Sequence, residues 1–141
     1  MLFRSRFYDD IMDAKNDLAE VDLVFSSSAL QYCRDPIYFL KELVKIDAKY
    51  LFITRTPFVD SREHIIAIQK SSLSSNGPGP LPDGIKDKSV FYPITYVSRS
   101  AVEDILTQNY EIRFMTDEGS GVFNIKGSTI NMNGYFCSRK D

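Results

Sequence analysis

The chain has 141 residues and a mass of 16.1 kDa, enough for one domain with a core and too few for two ordinary ones. Hydrophobic residues make up 43% and charged residues 26%, with ten Phe, eight Tyr and no Trp, a composition that folds rather than stays disordered. A net charge of −2 leaves no global field to draw the protein onto nucleic acid or anionic lipid. No apolar run approaches the roughly 20 residues of a membrane helix. Charges break the opening stretch MLFRSRFYDDIMDAK where a signal peptide would be greasy, so the expectation is a cytoplasmic protein without nucleic-acid or membrane partners. Cys33 and Cys137 sit in no CxxC and beside no His, which fits free thiols and predicts no metal site.

In chain order, Ser5 as a cap, Asp9 and Asp10 in the first turn, and Phe7, Ile11, Ala14 and Leu18 on one face predict a helix near 7–18. Val21 to Ser28, VDLVFSSS, has an apolar core that does not alternate, which predicts a parallel strand covered on both sides. Asp35 and Pro36 form a cap and first-turn proline, after which Ile37, Leu40, Leu43 and Val44 recur at helical spacing to about Ile46. Tyr50 to Thr54 is a second strand, so the unit is βαβ with parallel strands. His64 to Ile68 is read as strand. The stretch 71–90, dense in Ser, Gly and Pro, is read as a long, flexible, exposed loop within one domain spanning 1–141.

A third helix over about 99–108 follows, capped by Ser98 or by Ser100 with Glu103 as a capping box. Glu111 to Thr116 and Ile130 to Ser138, the latter interrupted by Gly134 as a bulge, form a terminal antiparallel hairpin. The fold class is therefore α/β, with a mixed sheet whose central strands are parallel. Ligands of such sheets gather at the carboxyl ends of parallel strands, which here means Ser26 to Tyr32 and Arg55 to Phe58.

The stretch VDLVFSSSALQYCRDPIYFLKELV resembles the fourth strand and following helix of class I S-adenosylmethionine-dependent methyltransferases. Together, Leu30, Gln31, Tyr32, Asp35 and Pro36, then Arg55, Thr56, Pro57 and Phe58, then Gln69, then Tyr92 and Pro93 are similar to a bacterial and archaeal methyltransferase family associated with surface-polysaccharide genes. The resemblance implies a partial Rossmann-like three-layer sandwich, with Ser26, Ser27, Ser28, Leu30 and Gln31 on the S-adenosylmethionine side. It implies Tyr32, Arg55, Thr56, Gln69 and Tyr92 on the side of an acceptor such as a saccharide or related metabolite, with His64 the cheapest base candidate.

The chain departs from that pattern in lacking a glycine-rich turn between strand and helix. Gly77-Pro78-Gly79 sits in a proline-rich loop, and Gly119-Ser120-Gly121 precedes no helix signal. The chain thus looks like the carboxyl-terminal half of such an enzyme, inactive alone and expected to bind the methyl donor only when an amino-terminal half is supplied. An alternative is a non-catalytic module of the same fold that pairs through an exposed sheet edge as a homo-oligomer.

Overall fold

A computed structural model describes residues 5–18, 20–75, 79–119, 123–125 and 127–141. The elements run α1 (Ile11–Asp17), β1 (Leu23–Ser27), α2 (Pro36–Lys45), β2 (Tyr50–Val59), β3 (Ile65–Ser72), β4 (Ser89–Ser98), α3 (Arg99–Asn109), β5 (Tyr110–Asp117), β6 (Phe123–Ile125) and β7 (Ser128–Arg139). A 3-10 turn, Leu30–Tyr32, follows β1. The α/β class is as expected, with parallel and antiparallel strands in one seven-stranded sheet.

β2 is its spine. The first half pairs in parallel with β1, from Leu23 opposite Tyr50 to Ser27 opposite Thr54, while the second half pairs in parallel with β4 at Phe58 and Val59. Along its other edge β2 runs antiparallel to β7, and β7 in turn holds β5 and β6. The path is β3-β4-β2-β7-β5, with β1 an edge strand beside the first half of β2.

The three helices share one face of the sheet. Leu40, Leu43 and Val44 of α2 and Val102, Ile105 and Leu106 of α3 pack with Val24, Leu51, Ile53, Phe58, Tyr135 and Cys137, and Ile11 of α1 joins them at the margin. A second, smaller core of Val59, Ile94, Tyr96 and Ile130 seats the β3-β4 hairpin. Opposite the helices, Phe25, Phe52, Phe136 and Phe114 form a row across four strands, with successive ring centroids 5.6, 5.7 and 5.1 Å apart. Phe25 is 59% and Phe114 51% exposed, and no described helix covers this row.

Several expectations are corrected in detail. α1 starts at Ile11, because Asp10 and not Ser5 caps it by accepting from Met12 and Asp13; Phe7, read as inward, is 94% exposed. β1 is not covered on both sides, since its burial alternates and leaves Leu23 and Phe25 outside. β2 runs five residues past Thr54, and the read loop contributes Ser71 and Ser72 to β3 and Ser89 and Val90 to β4. Ser98 caps α3 by accepting from Ala101, while Glu103 turns instead to the hydroxyl of Tyr135. The bulge lies on β2, where Thr54 and Arg55 together face the single residue Gly134. α2, with Asp35 accepting from Tyr38, starts where its signals placed it, and the strand readings of 64–68 and 130–138 and the antiparallel β5-β7 pairing hold.

Candidate functional site

Parallel pairing sets the carboxyl end of β1 beside the bulge midway along β2, and both backbones there are unusual. Ser28 has φ 52° and Arg55 φ 55°, left-handed conformations that cost a non-glycine residue about 1–2 kcal/mol each. The two strained residues are coupled. The Ser28 amide donates to the Thr54 carbonyl at 3.1 Å, and the Ser28 hydroxyl reaches the Arg55 carbonyl at 3.5 Å. The same Arg55 carbonyl accepts from Nε2 of Gln31 at 3.1 Å. The 3-10 turn explains how Gln31 gets there, since it folds the chain back over the strand ends and buries Leu30 and Gln31 completely or nearly so.

Two buried polar atoms at this end have no hydrogen-bond partner among the described residues. Ser26, 7% exposed, and Gln31, 3% exposed, leave Ser26 Oγ and Gln31 Oε1 buried without a hydrogen bond. An orphaned buried acceptor costs about 1–3 kcal/mol, so two of them beside two strained residues mark a place where the fold gives up stability. A group carrying N–H or O–H donors would satisfy both.

Next to this corner stands an aromatic platform. Tyr32 meets Tyr92 edge-on with centroids 5.7 Å apart, and its hydroxyl donates to Gln69 Oε1 at 3.3 Å. Gln69 and Tyr92 are direct cross-strand partners in the β3-β4 hairpin, which is why positions far apart in sequence converge. Burial, with Tyr92 adding to it, pushes the Tyr32 phenol above its ordinary pKa, so it stays a neutral donor at physiological pH. Arg55 is exposed, and among the described residues its guanidinium makes no ion pair.

The remaining sequence candidates are placed differently. Thr56 is fully buried, with its hydroxyl bonded to the Thr54 carbonyl inside β2. Leu30 belongs to the main core. Ser27 is half-buried opposite Thr54. His64 lies at the start of β3, where its Nδ1 accepts the Ser98 amide at 2.8 Å. Cys33 and Cys137 are free thiols, and burial pushes the latter up to about 12. No cluster of three or more metal-ligating side chains occurs among the described residues, and no helix is long and apolar enough to cross a membrane. Of the glycine pairs, Gly77, Pro78, Ser120 and Gly121 lie outside the described residues.

A polar network escaped the sequence reading. Arg99 donates to Asp60 Oδ1 at 2.8 Å, to the Tyr135 hydroxyl at 3.1 Å and to Asn133 Oδ1 at 2.8 Å, while Tyr135 donates to Glu103 at 2.5 Å. The signal was Asn133 on the inward alternation of β7 with Tyr135 and Cys137, hidden because Ile130, Met132 and Phe136 read as the inward set. Every partner here is satisfied, which makes the network a brace of α3 against the sheet. A cleft of about 1010 Å³ opens at the other end of β1 and β2, lined by residues including Lys15, Lys49, Arg113 and Arg139. Its arginines are committed to Asp47, Glu111 and Ser138, and although Asp47 there is also left-handed at φ 59°, neither of the two orphaned buried acceptors lies in it.

No family model matches the chain, and no curated protein matches it in sequence. Among solved structures it is similar to the N-terminal domain of EvdMO1 crystallised in the presence of SAH and D-fucose, with TM-score 0.46 and 12% identity over 90% of this chain and 50% of that one. A second crystal structure of that domain with SAH bound gives TM-score 0.46 and 12% identity over 90% and 49%. The chain spans about half the length of these neighbours.

Proposed function

We propose that this chain supplies one wall of a class I S-adenosylmethionine-dependent methyl-transfer site and does not turn over by itself. The observation that carries the reading is the pair of orphaned acceptors, Ser26 Oγ and Gln31 Oε1, beside left-handed Ser28 and Arg55, where the carboxyl end of β1 meets the bulge of β2. The fit to the donor is partial. Its ammonium and hydroxyl groups match the orphaned acceptors, whereas no glycine-rich turn leads from a strand into a helix in the sequence. When bound, such a donor supplies an electrophilic methyl group. The chain's own residues bind and orient: Gln31 and Ser26 accept, and the Ser28 to Arg55 corner fixes where they stand.

The acceptor side is formed by Tyr32, Tyr92 and Gln69, a half-open aromatic surface with an amide at its edge, suited to the apolar face and hydroxyls of a saccharide or related metabolite. Arg55 recognises a carboxylate or phosphate on that substrate through its planar fork. Amide chemical shifts recorded while S-adenosylhomocysteine is added to about 5 mM test the donor wall, since half a site holds its ligand in the millimolar range. Changes confined to residues 26–31 and 54–55 are expected. No change, or change only around the cleft at the opposite end of the strands, overturns the reading.

A further inference from the structure

We infer that β1 is a pairing edge for a second copy of this chain, joined antiparallel about a two-fold axis through Phe25. The outer edge of β1 has no strand partner among the described residues, and its sequence Leu-Val-Phe-Ser-Ser carries no charge, no proline and no bulge. The two longer outer strands of the sheet are guarded. β3 carries Lys70, and β5 carries Glu111, Arg113 and Asp117 together with a register shift at Arg113. An unguarded edge offers its backbone donors and acceptors to whatever strand approaches.

The strand is complementary to itself in this register. Phe25 meets Phe25 of the second copy, Val24 meets Ser26 and Leu23 meets Ser27, so buried positions oppose buried positions and outward positions oppose outward ones. The aromatic row Phe114, Phe136, Phe52, Phe25 ends at the edge with its last ring 59% exposed, and pairing continues it into the row of the other copy. Charges agree as well. Exposed Glu20 and Asp22 precede β1, with Lys49 also on that side, and exposed Arg34 and Arg55 follow it, with Asp35 beside them. Antiparallel docking sets the acidic end of each copy beside the basic end of the other, and a net charge of −2 per chain opposes this little. The inference does not rest on the donor reading: although Ser26 belongs to the paired strand, Asp22 and Phe25, whose variants test it, take no part in that site.

Sedimentation equilibrium from about 10 to about 300 µM, the range proper to a small transient interface, should show a monomer-dimer equilibrium. Amide exchange at residues 23–27 should slow as concentration rises. Phe25→Lys and Asp22→Lys should each weaken the dimer, Phe25→Lys by about tenfold or more, whereas Phe114→Lys, on the same face but away from the edge, should not. A monomer throughout overturns the inference, as does a dimer whose β1 amides ignore concentration. Equal loss on Phe114→Lys also overturns it, in favour of face-to-face packing. If circular dichroism shows Phe25→Lys unfolded, the exchange measurement on the unaltered chain decides.

Discussion

Nδ1 of His64 accepts the backbone amide of Ser98 at 2.8 Å, so the start of β3 is tied to the residue that caps α3. The same Ser98 donates its hydroxyl to the Ser61 carbonyl at 2.7 Å, which makes the junction between hairpin and helix a closed set of hydrogen bonds. An acceptor nitrogen at this position carries no proton. His64→Ala leaves the amide of the buried Ser98 unpaired and is expected to cost about 1–2 kcal/mol, while His64→Asn, which can place an amide oxygen near Nδ1, should recover about half. Urea unfolding midpoints of the three proteins check this; equal loss in both variants would remove the hydrogen bond from the account.

Gly134 faces the bulge of β2 so closely that a Cβ would come 2.5 Å from the Ile53 carbonyl oxygen and 2.5 Å from Thr116 Oγ1. Backbone cannot yield as a side chain can. Gly134→Ala should therefore destabilise by about 2–3 kcal/mol through overpacking. Because the backbone that must give way is Ile53–Thr54, and the Thr54 carbonyl accepts from Ser28, the amide shift of Ser28 should move with it, which separates this effect from a loss confined to β7.

Raising the pH should weaken the fold above about 9. Burial pushes Cys137 up to about 12 from the ordinary 9.0, so in the unfolded chain the thiol ionises while in the folded one it cannot. A group held protonated in this way contributes fully below its unfolded value and loses that contribution as pH rises toward the folded one, by about 1.4 kcal/mol per pH unit. Tyr110 and Tyr135, both raised by burial, steepen the decline above 10. Unfolding midpoints between pH 8 and 11 should fall, and Cys137→Ala should flatten the first part of the curve. An unchanged slope would contradict the buried thiol as its source.

Arg99→Lys should cost about 2–3 kcal/mol although it keeps the charge. The guanidinium reaches Asp60, Tyr135 and Asn133 in three directions at once and lies 5.5 Å from the centre of the Phe58 ring. An ammonium has the donors but not the planar fork, so at least one buried oxygen goes unmet. Thermal unfolding, compared with Arg99→Lys combined with Tyr135→Phe, tests whether the two losses overlap as members of one network.

What could be read ahead of the structure was what depends on neighbours in sequence. Asp35 and Pro36 start α2 because a cap and a proline act within one turn, and the parallel β1-β2 pair follows from a crossover between two apolar runs. Arg55, Thr56 and Pro57 looked like the loop after a strand, because nothing local says that Gly134, far along the chain, will pair opposite them and carry β2 on to Val59. For the same reason the motif points Thr56 at a ligand although it is fully buried, while Gln31 gains its meaning from an Arg55 carbonyl that only the bulge puts in place. The Arg99 network was hidden by β7, whose two faces are both apolar enough to pass for the inside.

The surplus residue in β2 resets the phase of the ribbon. Ile53 and Phe58 are an odd number of positions apart, which in an unbroken strand would send them to opposite sides, yet both end in the core beneath the helices. Past the reset, Val59 is free to seat the hairpin in the second core. Excision of Arg55 would bring Ile53 and Phe58 to an even spacing, set Thr54 alone opposite Gly134 and leave both cores filled, so what the surplus residue adds is not packing but the left-handed corner whose carbonyl holds Ser28 and Gln31.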